Sequence, residues 1–131
     1  MKSTCVAAFL CFSVAAHAES DDWMLVGKHK SDFSLYYQPS SVRSRADGLK
    51  SVISLINYIT SKGVKESLVT YSLYNCEKQS AQDQATFQFS EHWGQGERLQ
   101  VSGVEEEWKR VLPHTSGEDL LRATCRTQIA S

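Results

Sequence analysis

Three consecutive segments constrain the fold of this chain more than any other feature. Residues 49–60 (LKSVISLINYIT), 67–76 (SLVTYSLYNC) and 84–93 (QATFQFSEHW) are rich in β-branched and aromatic side chains, which favour the pleated backbone of a strand. The third alternates most cleanly. Ala85, Phe87, Phe89 and Glu91 fall on one face; Thr86, Gln88, Ser90 and His92 fall on the other. In the first, Val52, Ile56 and Tyr58 share a face with Ser54, while Ile53, Leu55 and Ile59 share the opposite face with Asn57. Apolar residues on both sides mark a central strand covered on at least one of them. Short polar connections at 61–63 and 77–83 join the three as an antiparallel meander.

The flanks extend this sheet. Residues 23–27 (WMLVG) and 33–37 (FSLYY) read as a hairpin, which Pro39 ends because proline lacks the N–H a ladder needs. Residues 42–48 are basic and polar, with an Asp47-Gly48 turn signal, and make a solvated loop or hairpin tip. Residues 94–97 (GQGE) form a flexible turn, and 98–104 form a weaker extended stretch. A helix is expected over 116–126, with Ser116 as its cap, Glu118 and Asp119 in its first turn, and Leu120, Leu121 and Cys125 at helical spacing. Alone it is too short to be stable.

With 131 residues the chain supports one modest core. Lys and Arg number 14 against 15 Asp and Glu, so no charge excess for nucleic acid is present. No apolar run reaches the roughly 18 residues of a membrane span. The N-terminus does read as an export signal: Lys2, then the apolar run VAAFLCFSVAA at 6–16, then Ala16-His17-Ala18 as a small-x-small cleavage pattern. Cleavage after Ala18 divides the chain into a signal peptide, residues 1–18, and a single domain, residues 19–131. Cys11 follows Phe9 and Leu10 rather than a small residue, so no lipid anchor is evident. The expected location is the periplasm, the medium or the cell surface.

Removal of Cys5 and Cys11 leaves Cys76 and Cys125. In an oxidising compartment such a pair is normally a disulfide. A loop of this length is credited with roughly 4 kcal/mol in the chain-entropy model. A redox-active pair wants C-x-x-C spacing, which is missing.

Trp23, Tyr36-Tyr37-Gln38-Pro39-Ser40-Ser41-Val42 and Leu55-Ile56-Asn57-Tyr58 recur in order with residues 71–76, 93–97 and 108–113 and with Cys125. In this ordered spacing the chain resembles the surface-adhesin protein E family of small exported bacterial domains. The resemblance implies a mostly antiparallel sheet with a helix on one face. It also implies adhesion to host extracellular-matrix or plasma proteins.

Side-chain chemistry argues for binding rather than catalysis. His29, His92 and His114 lie far apart, with no H-x-x-x-H or C-x-x-C pair to hold zinc. There is no G-x-S-x-G elbow and no free cysteine nucleophile. Glu91, His92 and Glu97 can converge as an acid/base group, although a solvated turn explains them as well. Arg43, Arg45 and Lys50 form a basic strip beside Tyr36 and Tyr37, or protect a sheet edge by charge. Glu105, Glu106 and Glu107 suit a partner-facing patch or a solvated edge. Trp93 and Trp108 are the aromatic candidates for contact, with core packing as their more ordinary role.

The expectation is an α+β domain: an antiparallel sheet of five to six strands, a C-terminal helix on one face, and a Cys76–Cys125 disulfide. Its function is expected to be non-enzymatic protein binding without a cofactor or metal, through Tyr36, Arg43, Arg45, Trp93 and Trp108. A periplasmic accessory or inhibitor protein working by loop insertion is the alternative, ahead of a small hydrolase. A homodimer through an edge strand also fits an open sheet.

Overall fold

The computed structural model describes residues 23–30, 32–103 and 107–129; the expected signal peptide and Glu105-Glu106 lie outside them. Among the described residues β1 (Met24–Lys30), β2 (Phe33–Tyr37), β3 (Arg43–Ser44), β4 (Lys50–Ile59), β5 (Lys65–Asn75), β6 (Ser80–Phe89), β7 (Arg98–Ser102) and β8 (Lys109–Arg110) precede α1 (Ser116–Arg126). All strand pairings are antiparallel, in the order β1-β2-β4-β5-β6-β7, with β3 beside β4 and β8 beside β6. The main path thus has six strands, and two short ones bring the sheet to eight.

Several boundaries shift from expectation. The turn after β5 closes within residues 76–79, so β6 starts at Ser80 rather than Gln84. Residues 42–48 are the tip of the β3–β4 hairpin, closed by Arg45 N–H to Leu49 O at 2.8 Å and Gly48 N–H to Arg45 O at 3.0 Å. The helix cap is Thr115, one residue earlier than Ser116. Its backbone is extended (φ −116°, ψ 163°) and its hydroxyl accepts the Glu118 N–H at 3.3 Å, as a cap requires.

The helix covers one end of one sheet face. Leu120 and Leu121 bury themselves against Leu35, Tyr37, Val52 and Tyr74, which project from β2, β4 and β5 on that side. Burial of each leucine stabilises by roughly 1.5–3 kcal/mol. Two further ties hold the helix C-terminus. The Lys50 ammonium donates to the Cys125 carbonyl at 3.1 Å, satisfying an oxygen the helix cannot. Cys125 is bonded to Cys76 across a sequence separation of 49, with the Cα atoms 5.9 Å apart.

Past the helix, this covered face is polar and pairs with itself. Ser72 donates to Asp83 at 2.8 Å, and Thr70 meets Thr86 at 3.2 Å. Tyr58 donates to Glu66 at 2.7 Å, and the Gln88 amide reaches both at 3.0 and 2.8 Å. These donors hold the Glu66 carboxyl below its usual range, Tyr58 foremost and Gln88 next. Tyr58 is itself raised, first by burial and then by its bond to Glu66.

Candidate binding surface

The opposite face has no helix. The register places Tyr36, Ile53, Leu55, Asn57, Ser67, Val69, Tyr71, Leu73, Phe87 and Phe89 on it. A single turn of 3₁₀ helix, His92–Gly94, folds back over the middle of this face. Three hydrogen bonds to two polar side chains of the strands below hold it. The Trp93 N–H donates to the Asn57 side-chain oxygen at 2.8 Å, and the Gly94 N–H donates to Ser67 Oγ at 2.9 Å. Ser67 passes its own proton to the Glu91 carbonyl at 2.6 Å. Asn57 and Ser67 are buried, where a polar side chain needs such partners, and Leu55 beneath them is fully enclosed. His92 Nε2 donates to the Tyr58 carbonyl at 3.0 Å.

The turn is built rather than flexible. Ser90 and Glu97 exchange hydrogen bonds across it, Ser90 N–H to Glu97 O at 2.9 Å and Glu97 N–H to Ser90 Oγ at 2.8 Å. At Gly96 (φ +79°) an added Cβ would strike Ser90 Oγ and the Glu91 side chain. At Gly94 (φ +67°) it would press on Val69 at 3.0 Å. Trp93, however, adopts the same left-handed backbone (φ 66°, ψ 25°) with a full side chain. Such a residue costs about 1–3 kcal/mol and persists only where its surroundings over-determine it.

The strained backbone presents an indole that is 43% exposed. Its ring packs at a tilt against Tyr36, with centroids 4.8 Å apart and planes at 57°. Two of the expected contact residues, distant in sequence, thus form one aromatic patch. Arg45 lines the same face beside Ser41, Ile53 and Tyr71, where it pairs with Asp47 at 3.3 Å. Arg43 points elsewhere. It lines a cleft with Thr127 and Ile129, and its guanidinium is spent on the Ser40 and Val42 carbonyls at 2.6 and 2.9 Å. Lys50, read as part of the same basic strip, belongs to the helix C-terminus. Trp108 is exposed beside β8 at the edge of the sheet. Glu91 and Glu97 are exposed on the turn, and the imidazole between them is taken by a backbone carbonyl. Among the described residues, no group of three His, Cys, Asp or Glu can hold a metal ion.

The sequence reading did not select Tyr71, Phe87, Phe89 or Arg98. Alternation placed the phenylalanines together, and they stay half-buried because the helix lies on the other face.

A six-strand antiparallel path, a C-terminal helix and a disulfide from the sheet to that helix define a class of small disulfide-pinned α+β domains. Residues 23–126 match the family model for surface-adhesin protein E, and the chain belongs to that family. Two solved structures of Haemophilus influenzae protein E share the fold. One matches with a TM-score of 0.57 at 17% identity, covering 70% of this chain and 79% of that one. The other matches with a TM-score of 0.55 at 16% identity, covering 79% and 92%. No curated protein matches the chain. Among the described residues no helix is long and apolar enough to cross a membrane.

Proposed function

We propose that this chain is an exported, non-enzymatic binding module that engages a protein partner through the Trp93–Tyr36 patch. One observation carries the reading: a tryptophan held in a strained left-handed backbone by buried Asn57, yet half-exposed and packed against Tyr36. Strain kept for folding alone would hide the indole, whereas here it displays one. Tryptophan and tyrosine are the residues most often found at binding hot spots, and a rigid mount lowers the entropy lost on docking. Membership of a surface-adhesin family supports host extracellular-matrix or plasma proteins as the partner class. The signal pattern of residues 1–18 supports export. The alternative, a loop inserted into another protein's cleft, has less support because the 92–97 turn is tied down onto the strands rather than projecting.

The test is capture of the mature protein on a panel of immobilised matrix and plasma proteins. At least one should bind it saturably, and Trp93→Ala should weaken that binding tenfold or more with the fold intact by circular dichroism. Binding to none of the panel, or undiminished binding by the variant, overturns the reading.

A further inference from the structure

The open face carries a second surface beside the aromatic patch. Val69, Tyr71, Phe87 and Phe89, with Arg98, line an open groove of about 580 Å³. An adjoining groove of about 440 Å³ runs past Ile53, Leu73 and Gln84 to Arg45. Tyr71 lines both, so they form one trough. On β5 its lining runs from Leu73 to Val69, and Arg98, paired with Phe89, closes the other end at the level of Ser67, which itself lies sealed under the 92–94 turn. Leu73 and the level of Ser67 are six residues apart, roughly 20 Å at strand spacing.

Two β-bulges shape the trough. The β6–β7 register skips Leu99, pairing Gln88 with Gln100 and Phe89 with Arg98. Without that extra residue, alternation would send Arg98 to the opposite face. With it, the guanidinium sits over the Phe87 ring, 5.7 Å from its centroid. The β5–β6 register skips Gln84, pairing Tyr71 with Ala85 and Ser72 with Asp83. This turns Asp83 to the covered face, where Ser72 binds it. The trough is left with an arginine at each end and no carboxylate in its lining. Arg98 forms no ion pair among the described residues. Arg45 has only Asp47, in a pair about half-exposed on both sides, and such a pair is readily exchanged.

We propose that this trough seats an extended segment of a partner protein, with apolar or aromatic side chains along its middle and carboxylates at its two ends. An extended chain of six or seven residues spans it. Tyr71 and Phe87, edge to face at 5.8 Å, give the apolar side chains a firm wall. The shallow, elongated shape suits a strand of polypeptide better than a small molecule, which needs enclosure on most sides. The proposal rests on the binding-module reading and adds the chemistry of what is bound.

The test uses the mature protein and a fluorescein-labelled nine-residue peptide with glutamate at both ends and alternating leucine, phenylalanine and threonine between, followed by anisotropy. The expected result is saturable micromolar binding that weakens as salt rises. Arg98→Glu should weaken it tenfold or more with an unchanged melting temperature. A peptide with lysine at both ends should bind at least tenfold more weakly. If Arg98→Glu fails to fold, Arg98→Gln gives the same reading with a smaller loss. Equal binding of the lysine peptide, indifference to the Arg98 variants, or no peptide binding overturns the proposal. So does binding of oleate without binding of peptide, which would assign the trough to small amphiphiles. Failure here together with Trp93-dependent capture of a host protein removes the trough alone; peptide binding without such capture removes the host-protein reading alone.

Discussion

The two faces of this sheet treat side chains in opposite ways. On the covered face apolar residues lie under α1, and the rows beyond the helix are, apart from Leu68, largely hydroxyls, amides and carboxylates that satisfy one another across strands. On the open face the short 92–94 turn covers the middle, and the aromatics beyond it are left partly bare. Tyr71 and Trp93 are each 43% exposed, and Val101 on the edge strand is 49% exposed. Folding alone favours the reverse, with polar rows facing water and aromatics inside. Apolar surface left partly bare next to a polar face already hydrogen-bonded is the physical ground of the contact surface proposed above. The covered face carries the helix and the disulfide that hold the fold, and the open face carries the surface proposed above for contact.

Mutations can break or sharpen this contrast. The largest effect is expected from Cys125→Ser, which frees the helix from the sheet. Urea denaturation should show a loss of about 4 kcal/mol; a loss below 1 kcal/mol would mean packing alone holds the helix. Next, Leu120→Ala on the covered face should cost about 3 kcal/mol, while Tyr71→Ala on the open face should stay within about 0.5 kcal/mol. Comparable losses at the two sites would erase the distinction between the faces.

Asn57→Ala tests the mount beneath the patch. It strands the Trp93 N–H at a cost of about 1–3 kcal/mol, and the indole emission should shift as the turn relaxes. The smallest effect is confined to alkaline pH. Burial, and then the charge of Asp83, raises the Tyr74 phenol well above its ordinary value. The folded state thus disfavours the ionised form, and the associated stability is complete below pH about 10 and drains away as pH rises beyond it. Tyr74→Phe should flatten that alkaline loss in melts taken between about pH 9 and 11; an unchanged slope would show that other groups drive it.

Much of the covered face was legible in the sequence because its signals are local. Alternation within 49–60 and 67–76 marks β4 and β5, and Leu120-Leu121 beside Glu118-Asp119 marks an amphipathic helix with its N-terminus. The cysteine pair was legible once Cys5 and Cys11 were read as part of an expected export signal. The open face was less so. A bulge is one uncommitted residue, and nothing in the letters of Gln84 or Leu99 says that the partner strand will skip it. The shared face of Phe87 and Phe89 was readable; the arrival of Arg98 among them was not. Trp93 drew attention as an aromatic beside glycines, but its left-handed backbone depends on Asn57, remote in the chain. Arg43 and Arg45 look like one basic strip, because residues two apart share a face in a strand, yet the strand ends at Ser44, and in the turn that follows the two guanidinia part company.

The Cys76–Cys125 bond also makes β6, β7, β8 and nearly all of α1 part of one covalent ring. A protease that cuts once inside this ring, for instance after exposed Arg110, releases no fragment. The clipped chain stays a single molecule with its C-terminal helix attached, and a reductant is needed to release the pieces. Wherever proteases reach it, a nick that would halve an ordinary domain leaves this one tethered.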